Sequence, residues 1–139
     1  VNEEAKQEFI QNTCKFYERV VDYALEKRSI IRILMLESLK NGKHQNSLFQ
    51  MMDFVANNEN NPIFRTISNA DQDFAYSEEM VLFRFFFSII PIVSFAAYYD
   101  DYKEVSALSD KELRASFLRV SKIIIASMVS GSDILLKSK

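Results

Sequence analysis

From Asn2 to Lys27 apolar side chains recur every three or four positions. Ile10, Cys14, Tyr17, Val21 and Leu25 form one stripe; Phe9, Phe16, Val20 and Tyr23 form its neighbour. That spacing predicts an amphipathic helix with contacts on two sides. Ser29 is placed to cap a second helix, Ile30–Leu39, and Asn41-Gly42 to stop it. Ile30, Ile31, Ile33, Leu34, Met35, Leu36 and Leu39 make this second helix apolar nearly all round, which predicts a place in the middle of a bundle. A third helix is expected over Gln45–Ala56, with Leu48, Met51, Met52 and Val55 inward. The polar run Asn57-Asn-Glu-Asn-Asn61 before Pro62 reads as a solvated loop, and 62–74 is ambiguous, with a short helix around Ile63–Ile67.

Ser77, followed by Glu78 and Glu79, predicts the start of a long fourth helix reaching about Asp101, the two carboxylates complementing the positive helix end. Ten of the eighteen aromatic residues lie between Phe74 and Tyr102, so this segment dominates the packing. Ser109-Asp-Lys-Glu112 has capping-box spacing and opens a last helix to about Ser130. Leu113, Phe117, Val120, Ile124 and Met128 lie on one face of it, and Gly131 is expected to end it.

Within the long helix, Phe85–Tyr99 carries no formal charge, and Met80–Tyr99 holds only Arg84. The uncharged run is shorter than the ~20 residues of a membrane span. Ser88, Pro91 and Ser94 dilute it, acidic residues flank both ends, and no Lys/Arg cluster marks a cytoplasmic side. The reading is therefore a helix buried on all sides and outside any membrane. A chain of this size rarely surrounds one helix completely, so a partner subunit is expected to cover the remaining face. Pro91 is expected to kink the helix, because it lacks the donor for one ladder bond.

Composition narrows the class. Two glycines and two prolines in 139 residues are too few turn formers for a sandwich or barrel. A content of 48% hydrophobic and 26% charged residues excludes a disordered tail. The length fits one domain able to bury ~68% of its unfolded surface. The single Cys14 excludes an internal disulfide and suits a reducing compartment, and no secretory signal opens the chain, so a cytoplasmic location is expected. A net charge of -2 argues against a nucleic-acid surface. The chain opens on Val1 rather than Met, as a fragment of something longer would.

Chemistry is sparse. His44 stands in a polar loop beside Gly42 and Lys43 and reads as solvated rather than ligating. With one His and one Cys there is no zinc pattern, and the Glu-x-x-His pairs of a di-iron site are missing. Cys14 on an apolar stripe reads as a buried thiol rather than half of a Cys–His nucleophile. Glu3, Glu4, Glu78 and Glu79 fall at helix starts. No catalytic residue, metal or cofactor is assigned, and the chain is not read as an enzyme. Arg84 stays open among three roles: an ion pair with Glu37, Asp73 or another carboxylate, a cation snorkelling to solvent, or an anchor for an acidic head group.

Two stretches resemble a known family. Tyr23-Ala-Leu-Glu-Lys-Arg-Ser-Ile-Ile-Arg-Ile-Leu-Met-Leu-Glu37 is similar to the middle of TetR-family (tetracycline-repressor-like) regulators, with Arg32 and Glu37 at the expected positions. Ser109-Asp-Lys-Glu-Leu-Arg-Ala-Ser-Phe-Leu118 resembles the entry to that family's last helix. Two features depart from the pattern: Arg28-Ser29 stands where many relatives have a proline, and Pro91 lies within the penultimate helix. The resemblance implies an all-α bundle of five to six helices, the C-terminal ligand-binding and dimerisation domain, spanning residues 1–139. The N-terminal helix-turn-helix is missing, so DNA would be contacted only by the full-length protein.

It also implies that the last two helices pair across a twofold axis and that a small apolar effector sits inside the others. On the long helix the partner-facing stripe is expected at Phe85, Ser88, Ile92, Phe95 and Tyr99, and on the last helix at Phe117, Ile124 and Met128. The opposite face then offers Phe83, Arg84 and Phe87 to the ligand, joined by Phe16, Val20, Met35, Met51 and Met52. The competing function is a helical protein–protein interaction module with no small-molecule ligand.

Overall fold

The computed structural model describes residues 3–40, 46–50 and 62–137, with backbone only at 62–64, 70 and 132–137. Every element among them is helical. Helix α1 is Glu3–Glu26, α2 Arg28–Leu39, α3 Pro62–Ala70, α4 Gln72–Ala75, α5 Glu78–Ser106 and α6 Asp110–Lys137; a further helical turn covers 47–50. The chain divides into two compact units, Val1–Val21 with Asp101–Lys139, and Asp22–Asp100.

In the first unit α1 buries Ile10, Thr13 and Val21, and α6 buries Leu113 and Ile125. The buried stripe of α1 continues through Ala24; it keeps Ile10 and Val21 of the expected one and takes Thr13 and Ala24 in place of Cys14 and Leu25. Thr13 tolerates burial because its hydroxyl donates to the Phe9 carbonyl at 2.7 Å. Glu18 and Arg114 join the two helices at 2.8 Å. The start of α6 is capped as its sequence requires: Ser109 Oγ accepts from the Glu112 amide at 3.1 Å and donates to the Glu112 carboxylate at 3.0 Å. Ahead of that cap, Ala107 turns the chain in a left-handed conformation, φ 59°, and donates its amide to the Lys103 carbonyl. Lys103 and Asp110 close the turn at 3.0 Å.

In the second unit α2 begins earlier than expected. Lys27 is its N-cap and makes no side-chain cap bond, so Ser29 lies inside the helix. Here the Lys27 carbonyl itself accepts from the Ile30 and Ile31 amides at 3.0 Å, which makes a side-chain cap dispensable. The central position expected for α2 is also corrected: Ile31 is buried, whereas Ile30, Ile33, Leu36 and Leu39 are exposed. The stop at Asn41-Gly42 lies outside the described residues, as does the third helix beyond 46–50; Leu48 within that turn is buried. In the ambiguous region, Pro62 opens α3, where its missing amide costs no ladder bond. Asp71 caps α4 by accepting from the Phe74 amide at 3.0 Å.

Ser77 caps α5 as expected, accepting from the Met80 amide at 3.2 Å and donating to the Phe74 carbonyl at 2.7 Å. The helix runs five residues past the expected Asp101 to Ser106, and α6 runs through Gly131 to Lys137. Glycine disfavours a helix interior by only ~1 kcal/mol, which flanking helix formers can override. Ahead of Pro91, residues Phe83–Ile89 form a π-helical stretch that closes with the Ile90 amide bonded to the Phe85 carbonyl. Each such i→i+5 ring encloses one residue more than an α turn, giving the backbone room where the proline ring would press on the preceding turn.

Candidate functional site

The residues expected to meet a partner on α5 lie mostly on its inward face. Phe85, Ile92 and Tyr99 are buried, Ile92 to 3% exposure, alongside Val93, Ala96 and Ala97; Ser88 and Phe95 are half-buried. The buried face also includes the small residues Ala96 and Ala97. Phe85 stacks on Phe49 at 4.9 Å, and Phe95 meets Tyr99 edge-on at 5.4 Å. The open face of α5 is a different one: Val81, Leu82, Phe86, Phe87, Tyr98, Tyr102 and Val105 are exposed. On α6, Phe117 and Met128 are half-buried, while Val120, Ile123 and Ile124 are exposed.

The expected ligand lining falls in both units. Phe16 and Val20 are half-buried in the first unit, and the Arg19 guanidinium lies over the Phe16 ring at 5.9 Å. Met35, Phe83 and Arg84 are half-buried in the second unit. Phe83 stacks on Phe87 at 6.2 Å, and Phe87 is exposed. Met51, Met52 and His44 lie outside the described residues. Burial draws the Arg84 guanidinium below its ordinary value, and Tyr76 opposes that shift. Glu37, one of the carboxylates expected near Arg84, is held by Lys40 at 3.1 Å.

A groove that the pattern did not point to opens within the first unit. It has a volume of about 200 Å³, and its apolar surface comes from Tyr17 and Cys14 on α1 and Leu118 and Ile125 on α6. Arg119 and Lys122 stand at its edge, with Glu18 and Ser121. Burial pushes the Cys14 thiol up, with Lys122 pulling the other way. It pushes the Tyr17 phenol far above the ordinary tyrosine range, with Cys14 adding to the shift. The signal available in the sequence was the i, i+4, i+7 set Leu118, Lys122 and Ile125, a mixed stripe that a search for purely apolar faces passes over.

Among the described residues no group of three His, Cys, Asp or Glu side chains is arranged to hold a metal ion. Helix α5 is long and apolar enough to cross a membrane by length and composition, and 28% of its most apolar window is buried. No protein-family model, curated protein or solved structure matches this chain.

Proposed function

We propose that this chain is the effector-sensing and homodimerisation domain of a cytoplasmic TetR-like transcriptional regulator, in which a small, largely apolar molecule shifts DNA-reading heads absent from these residues. One observation carries the reading: the last two helices both keep apolar side chains open. Tyr98, at 63% exposure, and Tyr102 and Val105 do so on α5; Val120 and Ile123 do so on α6. Soluble monomers rarely leave large contiguous apolar patches in water. A twofold seam would cover the same exposed side chains on both copies at once. The helix order and the capped entry to α6 further support the family reading.

The open stripe of α2, Ile30, Ile33 and Leu36, favours a second reading, an interaction module docking a different protein. Light scattering without detergent separates the two. The dimer reading expects twice 16.2 kDa at micromolar concentration. A monomer supports the docking module, and protein that stays soluble only with detergent or floats with lipid vesicles assigns α5 to a membrane. Addition of duplex DNA is expected to give no mobility shift, because the net charge is -2.

A further inference from the structure

The α1–α6 groove combines an apolar interior with a cationic edge. Tyr17, Leu118 and Ile125 supply the former, and Arg119 and Lys122, one helical turn apart on α6, the latter. The acid of the lining, Glu18, is engaged by Arg114 at 2.8 Å, which offsets its repulsion of an incoming anion. Arg119 spends one donor on Ser116 Oγ at 3.0 Å; a guanidinium has about five, so others stay available. Lys122 makes no ion pair among the described residues. Size then limits the ligand. An apolar cavity of ~150 Å³ takes one benzene ring. About 200 Å³ therefore accommodates one ring and a small substituent, with the groove's open side leaving the substituent at the cationic edge.

We propose that this groove binds a single-ring aromatic carboxylate, the ring against Tyr17, Leu118 and Ile125 and the carboxylate on Lys122 and Arg119. The inference rests on the sensor reading only for its biological meaning, since it names the class of effector. A charge-assisted bond at a half-open edge supplies selectivity for the acid over its neutral analogue, and ring burial supplies most of the affinity.

Cys14 lines the groove and is the chain's only thiol, so it reports occupancy directly. The experiment measures maleimide labelling of the whole chain with benzoate and with benzamide, in wild type and in Lys122→Met. Each rate is compared with that of the same variant without ligand, because removing Lys122 itself makes the thiol harder to ionise. Benzoate is expected to slow wild-type labelling several-fold and benzamide much less. In Lys122→Met the preference for the acid disappears while helicity by circular dichroism stays unchanged. If benzoate leaves the rate untouched, if benzamide protects equally, or if the variant keeps its preference, the proposal is overturned. None of these outcomes depends on dimerisation, so the mass measurement above fails or succeeds independently.

Discussion

Arg28 donates from Nε to Asp100 Oδ2 at 3.1 Å, linking the first residue of α2 to α5 across 72 positions of sequence. The same guanidinium donates to the Leu25 carbonyl at 2.8 Å, satisfying an acceptor left over at the end of α1, and lies over the Tyr99 ring at 5.4 Å. A side chain with three partners holds the α1–α2 junction.

Arg28→Ala should therefore destabilise the fold more than Asp100→Ala. The pair is 38% and 54% exposed, so solvent screening keeps its direct coupling to roughly 0.2–1 kcal/mol. A double-mutant cycle in urea measures that term. The excess loss in Arg28→Ala then reports the Leu25 and Tyr99 contacts, which Arg28→Lys should restore only in part.

Two substitutions on α5 should behave oppositely. Ile92→Ala removes a buried side chain and is expected to cost about 2–5 kcal/mol of stability. Tyr98→Glu changes an exposed one, leaving monomer stability within about 0.5 kcal/mol while converting the proposed dimer to monomer. Urea midpoints and light scattering on both variants test the assignment of faces. A Tyr98→Glu protein that remains dimeric removes that face from the seam.

Alkaline titration should expose Tyr17. Burial raises its pKa in the folded chain, so the folded state holds the phenolic proton more tightly than the unfolded one. That contribution is complete below the ordinary value of 10.0 and is lost as pH rises above it. Cys14 acts with the same sign from its ordinary value of 9.0 upward. Tyr17→Phe is expected to flatten the fall in urea midpoint above about pH 9–10, and an unchanged slope would remove Tyr17 as the cause.

The turn between α5 and α6 offers a stabilising change. Ala107 adopts a left-handed conformation that disfavours a Cβ by roughly 1–2 kcal/mol. Glycine relieves this strain but loses more freedom on folding, so Ala107→Gly should gain ~0.5 kcal/mol net. Ser109→Ala, two residues on, removes the α6 cap and should cost about 1 kcal/mol. Thermal melts of the two variants should shift in opposite directions.

Much of the local architecture was legible in the residues alone. The starts of α5 and α6 follow from Ser77 and Ser109, because a capping hydroxyl acts on amides only two or three residues away. The all-helical class follows from 3–4 residue spacing and the scarcity of Gly and Pro. Periodicity also isolated the stripe Phe85, Ile92 and Tyr99 as one face of α5. It did not say what covers that face, because a repeat along one helix carries no information about the surface opposite. Only the packed chain placed the stripe inward and left Tyr98 and Val105 in the open. The α1–α6 groove was hidden for the same reason: Tyr17 and Lys122 are distant in sequence, and neither residue type announces a site until folding brings their helices together. Helix ends are decided by short-range hydrogen bonds, whereas faces and cavities depend on which distant side chains fill the space between helices.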